Sequence, residues 1–210
     1  MSDEPASAEY TRFLASVEGV EPEYREELDM PALLALSGEE RTRAEELLVA
    51  RVKTEDDWRV PPAIAEIRLK RAIRPMKERL PTAKGRMRLA LARALVDLDA
   101  LESLDATIVA MLEEGDPEEG ISALAAADDL QSPALAKALA RASVFHPSPE
   151  VRINAGAGLL YMAKVTDDPL VWKYRSLYIH LGEEDEGLRR SVFEEICALT
   201  GLSPAIIDGP

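Results

Sequence analysis

An all-α fold is predicted for this 210-residue chain by three observations. Ala and Leu dominate its apolar residues and only 5% of the chain is aromatic, a composition suited to closely packed helices. No alternation of Val, Ile and Thr persists long enough to build a half-buried strand. A turn rich in acids or proline leads repeatedly into a helix of small residues and Leu. These entries start about 30 residues apart, the length of one helix–turn–helix unit of an α-solenoid.

Residues 1–56 depart from the repeat and are expected to form a divergent N-terminal helical cap, since a terminal unit must meet solvent on one face. Within it, 6–18 reads as a short helix with Tyr10, Phe13, Leu14 and Val17 on one side. Pro22 suits the first turn of a second helix carrying Tyr24, Leu28, Leu33 and Leu36. Ser37, followed three residues later by Glu40, has the pattern of a capping box. The helix it opens is expected to bury Ala44, Leu47, Leu48 and Val52.

Residues 57–200 hold the repeats. The first pairs a helix over 61–69 with one over 71–80; Pro61 and Pro62 need no internal donor in a first turn. Pro75 either kinks the second of these or marks its true start. The second repeat pairs 84–98 with 101–113, where Met87, Leu91, Ala94, Leu95 and Leu98 keep the helical interval. The third pairs 118–128 with 133–144, with Pro117 and Pro133 at the starts. The fourth pairs 150–164 with 169–181, whose Leu170, Tyr174, Leu177, Tyr178 and Leu181 share a face. A helix over 187–199 closes the array, and 201–210 reads as an irregular tail of a single elongated domain. Gly156 and Gly158, costly inside a helix, mark either a close neighbour or a surface open to a ligand backbone.

The clearest entry, 148–160, and weaker versions at 57–65, 84–95, 116–124 and 186–196, resemble HEAT and HEAT-like repeats, the group that includes phycobilisome lyases. The resemblance implies a right-handed α-solenoid of about four helix pairs plus the closing helix, its second helices lining a concave face. It places Arg74, Lys77, Lys137, Arg141, Trp172, Lys173 and Arg175 on that face. Trp172 beside Lys173, Tyr174 and Arg175 has the residue types of an interface hot spot, or alternatively fills the contact with the last helix.

The net charge of −14 is unevenly spread. Residues 1–57 hold sixteen acids against six bases, and 96–210 hold twenty-one against eight. Between them, 58–95 hold two acids and eleven bases, a block of +9 in a remainder of −23. These bases either pair with acids of adjacent helices or form a cationic patch of Arg68, Arg71, Arg74, Lys77, Arg86 and their neighbours. HEAT-like DNA glycosylases suggest duplex DNA as a ligand for such a patch. The acidic remainder opposes a long polyanion, and Trp58 and Trp172 lack the interleaved aromatics of a base-stacking groove. An acidic surface suits a basic protein partner, whose approach it would accelerate.

No catalytic or metal constellation can be assembled. His146 and His180 are the only histidines and stand near expected helix ends, as caps or surface residues. There is no His-Glu dipeptide, so the di-iron chemistry of HEAT-repeat hydroxylases is not expected, and nothing supports bilin chemistry. Walker, Gly-x-Ser-x-Gly and Cys-x-x-Cys motifs are absent. Cys197 is the sole cysteine, in an apolar context that points to a buried structural thiol. The opening Met1-Ser2-Asp3-Glu4-Pro5 has no signal-peptide character, and no apolar run reaches a membrane span, so a soluble cytoplasmic protein is expected.

The expectation is therefore a protein-binding scaffold with no enzymatic activity and no cofactor. A more specific form of it is a bacterial immunity or inhibitor protein that masks a basic toxin. The alternatives are a nucleic-acid-binding or glycosylase-like protein using residues 58–95, and an assembly module.

Overall fold

A computed structural model describes residues 6–18, 27–127, 131–167 and 172–208. Among these residues there are twelve α-helices and no strand. The chain divides into two compact units, Met1–Leu104 and Asp105–Pro210.

The first unit contains α1 (Ala8–Glu18), α2 (Met30–Ala35), α3 (Gly38–Thr54), α4 (Val60–Glu66), α5 (Ile73–Arg79) and α6 (Gly85–Asp97). One hydrophobic cluster joins them: Phe13, Leu33, Leu48, Val52, Ile64, Met76, Leu91 and Leu95 are all fully buried or nearly so. The residues expected to form a cap thus share their core with the first repeat helices. α3 packs on α5 and α4 on α6, so each of these helices meets the one two places along.

The second unit contains α7 (Asp105–Glu113), α8 (Pro117–Ala127), α9 (Pro133–Phe145), α10 (Pro149–Met162), the single turn α11 (Arg175–Tyr178) and α12 (Glu186–Thr200). Its core is built around Ile108, Met111, Leu135, Leu139, Val151, Leu159, Leu181, Phe193 and Ile196. Here α7 packs on α9, α8 on α10 and α10 on α12.

The recurring entry motif has a capping role. Asp116 Oδ1 accepts the amides of Glu118 (2.9 Å) and Glu119 (3.2 Å), Ser132 Oγ accepts that of Leu135, and Ser148 Oγ that of Val151. In each case a proline follows the cap, where its missing N–H leaves nothing unsatisfied. The exits also repeat. α4, α6 and α10 end with a left-handed residue, Arg68, Asp99 and Lys164, and the next amide reaches back to Ile64 O, Leu95 O and Leu160 O. This is the Schellman closure, made here without glycine.

Several local expectations are corrected. The capping box at Ser37 does not form: the Ser37 side chain caps nothing. Glu40 instead accepts the backbone amide (2.7 Å) and hydroxyl (2.6 Å) of Ser7, drawing its carboxylate toward α1 and holding it below the usual carboxylate range. Leu101–Leu104 precede α7 rather than belonging to it. The helix expected over 71–80 opens with a 3-10 turn, Lys70–Ala72, and Pro75 sits in the first turn of α5. The described part of the helix expected over 169–181 is two 3-10 turns around α11, and its last carbonyls are claimed by arginine side chains. The tail is not wholly irregular, since Pro204–Ile207 form a 3-10 turn. Pro22, Tyr24, Asp128, Pro169 and Leu170 lie outside the described residues.

Gly156 is a close approach, because a Cβ there would overlap Leu181 Cδ1. At Gly158 the nearest atom to a built Cβ is Leu139 Cδ1 at 3.9 Å, so packing does not require glycine there.

Candidate functional site

The basic block folds entirely within the first unit, and acids from flanking segments meet it. Arg59 is buried against Asp57 in a two-pronged pair, Nε to Oδ1 at 2.8 Å and Nη2 to Oδ2 at 2.7 Å. Its remaining Nη1 donates to Ser16 O at 3.3 Å. Arg68 reaches Asp99 (3.2 Å) and Asp97 O (3.3 Å), Arg71 reaches Glu45 (3.2 Å) and Arg79 reaches Asp56 (2.5 Å). Arg74 pairs with Glu78 one turn on at 2.8 Å, which raises its pKa. Arg86 lies over the Trp58 ring, 5.3 Å from its centroid. Five of the block's eleven cations are thus paired with carboxylates; among the described residues Lys70, Lys77, Lys84, Arg86 and Arg93 are exposed and make no ion pair.

Arg71 and Arg74 also share a groove of about 600 Å³ between α3 and the turn leading into α5. Glu46, Val49, Ala50 and Lys53 line one wall; Arg71, Arg74, Pro75 and Glu78 line the other. Each set has the i, i+3, i+4, i+7 spacing of one helix face. Val49, Ala50 and Pro75 make an apolar floor, and the rim carries both signs of charge. Arg68, Lys77 and Arg86 belong to the same unit but do not line this groove.

In the second unit Arg141 lines a recess of about 330 Å³ with Leu112, Glu113, Ala138, Ala142, Phe145 and His146. Lys137 is half-buried on α9 and is not part of the lining. Lys173 is exposed and sits 4.8 Å from the centroid of the half-buried Tyr174 ring, and Arg175 is exposed at the start of α11. The Trp172 side chain is outside the description.

Two arginines that the charge pattern did not single out organise this unit. Arg152, 3% exposed, donates from Nε to Leu181 O (2.7 Å), from Nη1 to His146 O (2.9 Å) and Pro147 O (3.0 Å), and from Nη2 to Gly182 O (2.8 Å) and Glu183 O (3.2 Å). Burial, together with the nearby Arg189, lowers its pKa. Arg189 adds Val144 O (2.7 Å), Glu183 O (2.8 Å) and Glu184 O (2.7 Å). A sequence signal existed for Arg152: it shares the helix face of Ala155, Gly156 and Leu159, all of them buried.

No protein-family model, no curated protein and no solved structure matches this chain.

His146 is the C-cap of α9 and is buried rather than at the surface. Its Nδ1 accepts the Ser148 amide at 3.1 Å, which places the proton of the neutral ring on Nε2. Nε2 is buried against Gly120 and Val151 on the α8–α10 side, with no hydrogen-bond partner among the described residues. Burial pushes the His146 pKa down, so the cationic ring suggested by its place at a helix end is disfavoured. Cys197 is a buried thiol whose pKa burial raises, the environment of an inert side chain. Among the described residues no three His, Cys, Asp or Glu side chains are placed to share a metal ion, and no helix is long and apolar enough to cross a membrane.

Proposed function

We propose that the chain is a non-catalytic protein-binding scaffold of HEAT-like helix pairs, in the right-handed solenoid order with a divergent cap. Packing of helices two places apart within each unit supports the repeat reading, as do the shared exits of α4, α6 and α10. The observation that carries the binding reading is the α3–α5 groove. An apolar centre ringed by charges of both signs is the anatomy of a small protein interface. Arg71 and Arg74 are its specificity-bearing cations, with Lys53, Glu46 and Glu78 completing the rim. With a net charge of −14 the whole chain favours a basic partner, and an inhibitor of a basic toxin is the specific form of this proposal.

The −23 carried outside residues 58–95 works against the nucleic-acid alternative, since its field opposes a long polyanion. The test compares the native chain with a Val49→Arg, Glu46→Arg variant, which fills the apolar floor and reverses a rim acid, as bait in the source cytoplasm. Retention of one basic protein by the native chain and its loss from the variant is the expected result. Equal retention by both, or a salt-sensitive shift of duplex DNA in place of protein capture, would overturn the proposal.

A further inference from the structure

The C-terminal turn makes contacts of a different kind from the rest of the second unit. Pro204–Ile207 lie on α9 and α12, with Ile207 buried while Pro204 and Ala205 are exposed. The turn's own hydrogen bonds are local: Ile206 N to Ser203 O and Asp208 N to Ala205 O. Three features hold it in place. Ile207 inserts its side chain, Arg141 Nη1 donates to Ile207 O at 2.8 Å, and Arg190 Nη1 meets Asp208 Oδ1 at 3.4 Å. Both guanidiniums lie against the Phe145 ring, its centroid 4.9 Å from Arg190 and 5.9 Å from Arg141. Arg141 and Phe145 continue from this seat into the recess lined by Leu112, Ala138 and Ala142, which the turn does not line.

We propose that the α9–α12 seat is a docking site for a short peptide segment, held in cis by the chain's own Ile207-Asp208, and that its external occupant is a partner segment with a branched aliphatic residue followed by a carboxylate. Chemistry on the page selects that occupant. Arg141 calls for a carbonyl and Arg190, whose Nε is held by Glu186 at 2.8 Å, offers Nη1 to a carboxylate at the next position, while the buried Ile207 side chain defines an aliphatic socket between α9 and α12. A longer partner segment also gains the neighbouring recess, where Leu112, Ala138, Ala142 and Phe145 reward apolar burial that the resident turn forgoes. A turn fixed by one side chain and two polar contacts belongs to the low-stability end of the structure, so it can yield. The inference is independent of the α3–α5 groove, because its probe addresses the second unit alone.

The experiment is fluorescence anisotropy with a labelled peptide of residues 201–210. It is added to the native chain and to a full-length chain whose tail is released by Ile207→Ser and Asp208→Lys. Saturable binding to the released chain is expected, lost when the peptide carries the same two substitutions and lost when Arg190→Glu is added to the chain. A tethered segment acts at an effective concentration of about 1 mM, so a peptide binding the vacated seat at about 0.1 mM appears roughly tenfold weaker on the native chain. Equal binding of the native and substituted peptides, or none to a folded released chain, overturns the proposal. Hydrogen exchange on the native chain gives a second readout. The amides of Ile206 and Asp208 should exchange through local opening, far faster than those of α9. Exchange at the α9 rate, or unfolding of the released chain, would show the turn to be integral to the core and would equally overturn it.

Discussion

In the first unit the buried guanidinium of Arg59 is held by a buried carboxylate, Asp57, and Arg68, Arg71, Arg74 and Arg79 meet acids nearer the surface. In the second unit the buried guanidinium of Arg152 is held by five backbone carbonyls, and Arg189 and Arg141 likewise donate to backbone oxygens. Surface ion pairs in water are weak and screened by salt, so those of the first unit leave its cations open to exchange partners. A guanidinium donating to carbonyls ties turns of the backbone together; the one carboxylate near Arg152, the exposed Glu184, is 3.6 Å away, farther than any of the five carbonyls. The same residue type therefore offers a tunable recognition surface in one unit and a fixed clamp in the other.

The sharpest way to break this contrast is Arg152→Met. Removing the clamp leaves the carbonyls of His146, Leu181 and Gly182 without their donors, and a loss of about 4 kcal/mol is expected by chemical denaturation of the second unit's transition. The loss should be nearly independent of salt. Asp57→Asn tests the buried pair and should cost about 3 kcal/mol, because Arg59 is left as a buried charge without its counter-ion. A double replacement by apolar residues, Asp57→Leu with Arg59→Met, should recover much of that loss; failure to recover would mean that Arg59 acts chiefly through Ser16 O, as a clamp does.

A pH titration separates the units next. Burial holds the folded-state pKa of His146 below its ordinary 6.5, Arg152 acting in the same direction and Asp116 against it. The unfolded chain then binds the proton first as pH falls, so this contribution is intact above about pH 6.5 and lost progressively below it. His146→Asn, whose Oδ1 retains an acceptor for the Ser148 amide, should flatten stability over that window. Glu40, held below 4.5, enters only at lower pH. The smallest effect is expected from Arg71→Ala and Arg74→Ala. Each should leave thermal stability unchanged at high salt and lower it only slightly at low salt; a salt-independent loss would make these pairs structural and weaken the recognition reading.

Much of the helical framework was legible because its signals are local. Asp116, Ser132 and Ser148 announce their helices through caps that bond amides two or three residues ahead, and Pro117, Pro133 and Pro149 stand where no donor is needed. Pro75 was ambiguous for the same reason: the sequence cannot show whether a helix has already begun. Ser37 and Glu40 mislead because Ser7, 33 residues from Glu40, outbids the local amide. Of the expected binding residues, Arg71 and Arg74 share a groove, while Arg68 and Arg86 are engaged elsewhere in the same unit.

The amino-acid order by itself determined the all-α class and most helix starts, and it set the segregation of charge into an acidic–basic–acidic chain. These follow from period, capping and composition, which act within a few residues of one another. Only the tertiary structure decided what each charge does. Glu45 meets Arg71, Asp99 meets Arg68, and Arg152 finds carbonyls 29 and 30 residues away, because those distances depend on which helices pack together. A long flexible side chain takes the partner that packing brings within reach, and that choice is invisible until the helices are in place.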